Sequence, residues 1–152
     1  MVKHSVPGVI LIAEDNIDDC VIACRAWEES GIKCDIRLVH NGREVLDFLY
    51  RRRKFRNLQI TQNPDLIILD LNMPRMDGRQ VLLELRADHR LCSIPVVVFS
   101  DSKMPKDMAE SETIGALEYI SKPESFSEYV EILKHLGQFI LKNPGRLVYA
   151  GC

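Results

Sequence analysis

A chain of 152 residues with 46% hydrophobic and 28% charged side chains is long enough to build one globular domain around a real apolar core, and leaves no room for a second. Its formal net charge of −2 argues against a dedicated nucleic-acid binder, so no direct DNA binding is expected. No apolar stretch approaches the ~18 residues of a membrane span, and no basic segment followed by an apolar run marks a leader; a cytoplasmic protein without membrane contact is expected.

Residues 1–7 read as a tail, and Val9-Ile10-Leu11-Ile12-Ala13 as a strand buried on both faces that ends at Glu14-Asp15. Asp18 and Asp19 enrich a first helical turn, and Ile17, Val21, Cys24 and Trp27 recur at helical spacing until Gly31. Trp27 is read as helix packing. Ile36-Arg37-Leu38-Val39 is the second strand, and Asn41-Gly42 opens a helix carrying Val45, Leu46, Phe48 and Leu49. The basic cluster that follows, Arg51-Arg52-Arg53-Lys54 with Arg56, suits a solvated helix end whose cations complement the C-terminal dipole. The polar connection from Asn57 to Pro64 is long for this kind of loop and reads as a surface elaboration or a partner contact.

Leu66-Ile67-Ile68-Leu69 is a third strand, ending at Asp70; Pro74 to Gly78 is a loop before a helix with Val81, Leu82 and Leu85 on one face. Ile94-Pro95 leads into Val96-Val97-Val98-Phe99, which ends at Ser100. A polar helix from Pro105 to Ile114 stops at Gly115, a weaker strand Ala116-Leu117-Glu118-Tyr119-Ile120 leads to Lys122, and a last helix runs from Ser125 to Lys142 before Asn143-Pro144-Gly145. Residues 8–142 are thus expected to be one domain and 143–152 a tail, without an output domain. Five β/α units predict a doubly wound five-stranded parallel α/β sheet with helices on both faces. The five cysteines, Cys20, Cys24, Cys34, Cys92 and Cys152, are odd in number and lack zinc spacing, so reduced thiols are expected.

In such a sheet the ligand crevice lies beyond the carboxyl ends of the strands, where topology gathers Glu14, Asp15, Asp70, Ser100 and Lys122 into one pocket. Three carboxylates without a soft ligand suit magnesium rather than zinc. Lys122 offers a point positive charge to a carboxylate or a phosphoryl oxygen, and Ser100 a hydroxyl. With a cation neutralising its neighbours, Asp70 could accept a phosphoryl group as an acyl phosphate.

The segments Leu11-Ile12-Ala13-Glu14-Asp15-Asn16, Leu69-Asp70-Leu71-Asn72-Met73-Pro74-Arg75-Met76-Asp77-Gly78, Val96-Val97-Val98-Phe99-Ser100 and Tyr119-Ile120-Ser121-Lys122-Pro123 together resemble the receiver domain of two-component response regulators, the CheY-like fold with strand order 2-1-3-4-5. The resemblance covers about Val9 to Lys142. It implies that Asp70 receives phosphate from a sensor histidine kinase, that Glu14, Asp15, Asp70 and the backbone carbonyl of Asn72 organise Mg2+, and that Ser100 and Lys122 bind phosphoryl oxygens. Tyr119 would turn inward as a switch residue coupled to Ser100, and the Lys122-Pro123 bond would be cis. Asp101 departs from the usual small residue; it either points to solvent or brings a carboxylate near the phosphoryl group. Length and tail look like the single-domain regulators that serve bacterial phytochrome kinases.

Two alternatives stay open: an adaptor independent of phosphorylation, and a haloacid-dehalogenase-like phosphatase, which would want an Asp where Asn72 stands. A receiver would instead modify only itself, without a turnover substrate. On the last helix, Phe126, Val130, Leu133 and Ile140 are expected to face the sheet, with Tyr129, Ile132, Leu136 and Phe139 as a second stripe. The combined face exceeds the ~100° a one-sided helix needs, so a homodimer through this helix is expected, with Leu147, Val148 and Tyr149 of the tail as the competing cover.

Overall fold

In the computed structural model, which describes residues 8–59 and 62–142, five parallel strands, β1 (Gly8–Ala13), β2 (Cys34–Val39), β3 (Leu66–Leu69), β4 (Val96–Ser100) and β5 (Glu118–Ser121), run in the order β2-β1-β3-β4-β5. They alternate with α1 (Ile17–Ser30), α2 (Gly42–Leu49), α3 (Gly78–Ala87), α4 (Pro105–Ile114) and α5 (Phe126–Lys142). Both tails and the Asn143-Pro144-Gly145 stop lie outside the described residues. The connection after α2 includes a 3-10 turn at Arg53–Phe55.

Period-two alternation in strands covered on both sides splits the core in two. Leu11, Ala13, Ile67, Leu69, Val96 and Val98 pack with Val45 and Phe48 of α2 and Val81, Leu82 and Leu85 of α3. Ile10, Ile12, Leu66, Ile68, Val97 and Phe99 pack instead with Trp27 of α1 and Leu133, Leu136 and Ile140 of α5. Ala13 pairs with both Val39 and Leu69. The next residues along β1 and β3, Glu14 and Asp70, therefore emerge side by side.

Two helix faces differ from the sequence reading. On α1 the buried residues are Cys20, Ala23, Ala26, Trp27 and Ser30, while Ile17 is 76% and Val21 45% exposed. Beside Trp27 only small residues fit beneath the helix, and the branched Ile17 and Val21 are left outside. On α5, Tyr129, Leu133, Leu136 and Ile140 are buried, Val130 and Ile132 flank them, and Phe126 is exposed. The inward phase is set by the Tyr129 ring meeting Phe99 edge-on at 5.0 Å and by Gly137, where a Cβ would stand 2.8 Å from Ile32 Cγ2 and 3.1 Å from Trp27 Cζ3. Trp27 is thereby enclosed between α1 and α5, and its indole Nε1 is buried without a hydrogen-bond acceptor.

The basic cluster is partly paired: Arg52 and Arg53 lie 3.5 and 3.6 Å from Asp47, and Lys54 lies 2.6 Å from Glu44. Cys20, Cys24 and Cys34 are free thiols, and burial pushes Cys20 and Cys34 up to about 11. Cys92 corrects the expectation of reduced thiols throughout, since it is disulfide-bonded. Spacing along a chain cannot report a pairing made through space.

Candidate functional site

Every residue expected in the pocket stands at a strand end, and local capping fixes how each is presented. Asn16 caps α1 by accepting from the Asp19 N–H at 3.0 Å, and its own N–H donates to Glu14 Oε1 at 3.1 Å. Across the sheet, Asn72 N–H donates to Asp70 Oδ1 at 3.1 Å, which places the Asn72 backbone next to the Asp70 carboxylate. Lys122 N–H donates to the Ser100 carbonyl at 2.8 Å. That bond tethers the start of the last loop to β4.

The Lys122 ammonium is the hub. It donates to Glu14 Oε2 at 2.6 Å, Asp19 Oδ2 at 3.0 Å and Asp70 Oδ2 at 3.0 Å. Glu14, Asp70 and Lys122 are all buried, whereas the Asp19 side chain is 32% exposed. Burial pulls the lysine down, but its bond to Glu14, the charge of Asp70 and its bond to Asp19 outweigh that and hold it above its ordinary range. One ammonium cannot neutralise three carboxylates. Glu14 carries the imbalance: burial, with the charge of Asp70 added, pushes it up to about 7 against its bonds from Lys122 and Asn16.

Glu14, Asp15 and Asp70 each offer one oxygen, and these atoms all lie within 4.8 Å of one another. Oxygens around a six-coordinate ion with bonds of ~2.1 Å are roughly 3–4 Å apart, so small side-chain adjustments suffice. With Asp15 open to solvent for the ion's waters, the set fits a hard divalent cation.

Ser100 is fully buried and its Oγ accepts from the Ser102 N–H at 3.3 Å, turned toward the β4–α4 loop. Tyr119 is buried as well and donates to the Ser102 carbonyl at 2.7 Å. Both expected switch residues therefore meet at Ser102. Asp101 is 80% exposed, yet its carboxylate lies 3.9 Å from Lys122 Nζ. The expected cis bond at Pro123 is absent, for the described residues contain no cis peptide; the trans form, favoured by about 0.5–1 kcal/mol before proline, already lets Lys122 make its contacts.

Asp19 is the site residue that the sequence reading missed. The sequence shows it only as one of two acids in a first helical turn, but it is the third residue of a helix capped by Asn16, and that position turns the side chain back over the strand end. The cap was the available signal.

A family model described as the response regulator receiver domain matches residues 10–134. Among curated proteins, the probable methanogenesis regulatory protein FilR2 of Methanothrix harundinacea is 30% identical, over 91% of this chain and 89% of that one. Among solved structures, the phosphorylated cyanobacterial phytochrome response regulator RcpA is similar with a TM-score of 0.79 at 34% identity, covering 89% of this chain and 94% of that one. The Mn(2+)-bound form of response regulator Rcp1 is similar with a TM-score of 0.78 at 29% identity, covering 90% and 96%.

Proposed function

This chain belongs to the response regulator receiver domain family, and from that membership we propose that it takes a phosphoryl group from a sensor histidine kinase onto Asp70. The observation that carries the reading is the Asp70 carboxylate itself, buried, bonded to Lys122 and Asn72, and within reach of the other two acidic side chains. An Asp70 oxygen bonds to phosphorus as the P–N bond of a phosphohistidine breaks; the electron pair stays with the imidazole, which takes a proton from water. The product is an acyl phosphate, formed once per chain and not turned over on a separate substrate. Label transferred from a phosphorylated kinase, counted per chain, tests this.

A magnesium ion held by Glu14, Asp15, Asp70 and the carbonyl of Asn72 would supply positive charge to the phosphoryl oxygens. Lys122, now bonded to Asp70, would leave it for one of those oxygens, and Ser100, now bonded to Ser102, would turn toward another. That rotation would release the loop on which Tyr119 also pulls, which carries the event toward α4 and β5. Exposed Ile17 and Val21, just past the pocket on α1, form an apolar surface over which a protein donor can dock. The likeness to RcpA, named a phytochrome response regulator, supports a phytochrome-type kinase as donor. We place the pathway in the cytoplasm, without direct DNA binding; no helix of the described residues is long and apolar enough to cross a membrane.

The acidic set makes stability depend on pH and metal. Glu14 titrates at about 7 in the fold against an ordinary 4.5, so the folded state holds a proton that the unfolded chain has released. The stabilisation is complete below about 4.5 and lost as pH rises through about 7, at most about 3 kcal/mol. Metal-free protein should therefore melt lower at pH 8 than at pH 5, and Glu14→Gln should flatten the difference. Millimolar magnesium at pH 8 should raise the melting temperature of the wild type and not of Asp15→Ala. Equal melts of both proteins with and without magnesium would dismiss the metal site.

We also propose a homodimer through α5. Half-buried Ile132 and Phe139, which is 40% exposed, stand seven residues apart on one flank of the helix, a surface that a two-fold axis can pair with itself. Ile132→Glu should sediment as a monomer that still accepts phosphate. A wild type that sediments as a monomer with and without a phosphoryl mimic would remove the dimer.

A further inference from the structure

We propose that Asp19 is a positioning residue for Lys122, the carboxylate that keeps hold of the ammonium once Glu14 and Asp70 are engaged by the cation and the phosphoryl group; this rests on the reading of Asp70 as acceptor. In the structure the three carboxylates share the lysine at 2.6 to 3.0 Å. Glu14 and Asp70 also belong to the set of oxygens that can surround a cation, and Asp19 does not. Acylation of Asp70 moreover removes the negative charge from its own carboxyl group. Asp19 alone retains both its charge and its freedom to face the lysine.

Its location is fixed independently of the lysine. The Asp19 N–H is tied to Asn16 Oδ1 at 3.0 Å, so the start of α1 holds its backbone. Asp19 joins Glu14, Asp70 and Tyr129 in lining a cavity of about 10 Å³, and its bond to Lys122 sets its carboxylate on the pocket rather than on the outer face of the helix. Asp101, at 3.9 Å and 80% exposed, is too solvated to take over. An ammonium on a flexible four-carbon stem that lost all its partners would sample solvent. Misplacement of a catalytic charge by an ångström is enough to slow transfer severely.

A plainer account makes Asp19 only an acid in the first turn of a helix. Asp18 shares that turn and the same dipole, which makes Asp18→Asn the control. The full-length protein would be phosphorylated with phosphoramidate, fitting the maximal rate constant and the magnesium half-saturation separately. Nitrogen-15 NMR of the Lys122 ammonium in magnesium-loaded protein without donor provides a reading independent of the reaction. Asp19→Asn should lower the maximal rate constant about ten-fold with the half-saturation within about two-fold, and should lose the ammonium signal to solvent exchange. Asp18→Asn should match the wild type in both. An unchanged maximal rate constant in Asp19→Asn, a deficit that saturating magnesium repairs, or an equal deficit in Asp18→Asn would overturn the proposal. If the wild type took no label at all, the acceptor reading would fail by itself, and the ammonium signal would still decide whether Asp19 holds Lys122.

Discussion

Asp70→Asn is expected to take no label from a phosphorylated kinase while the wild type takes it up fully. The amide matches the carboxylate in size, and its oxygen can still accept from the Asn72 N–H that now bonds Asp70 Oδ1. What it lacks is the anionic oxygen that attacks phosphorus. The fold should survive, because the change removes one negative charge from a cluster with too many for its single lysine. A variant that labels as well as the wild type would end the assignment of Asp70.

Gly78→Ala should have a large effect although it leaves every polar group of the pocket in place. A Cβ there would overlap the Asp70 carbonyl oxygen and stand 2.8 Å from Leu71 Cα. Both are backbone atoms, so no side chain can swing aside. The same residue donates its N–H to the Leu71 carbonyl at 2.9 Å, so α3 cannot retreat without breaking the bond that pins the loop after Asp70. Overpacking against backbone should cost about 3 kcal/mol, lowering the melting temperature by roughly 10 °C for a domain of this size. Labelling of the still-folded fraction should drop as well, since Asp70 moves with its carbonyl. A melting temperature within about 2 °C of wild type together with full labelling would show that the loop accommodates the methyl group.

Much of this architecture could be read from the chain because strands buried on both faces leave near-continuous apolar runs. Leu66 to Leu69 and Val96 to Phe99 have no other economical reading, and the polar residues that end them fall into one crevice by topology. Helix faces were harder. On α1, Trp27 packs as its spacing suggests, but Ala23 and Ala26 are buried beside it while Ile17 and Val21 are exposed, so hydrophobicity alone did not give the phase of the helix. On α5 the phase is set by Phe99, Ile32 and Trp27, contacts far away in sequence. Asp19 escaped for a related reason: its significance depends on a cap and on a lysine 103 residues further along. The Cys92 disulfide likewise joins groups whose proximity no spacing rule encodes.

Trp27 is the single tryptophan of the chain, and its indole N–H meets no acceptor where α1 and α5 close over it. An excited indole relaxes by reorienting the dipoles around it, and this one is surrounded by Ile32, the Gly137 backbone and the apolar face of the sheet. Its emission should therefore lie at the short-wavelength end of the tryptophan range and move to longer wavelength when the two helices part. Because α1 supplies Asp19 and α5 supplies Tyr129 to the rim of the acidic pocket, the protein carries its own optical gauge of the seam that borders the site, readable without a label.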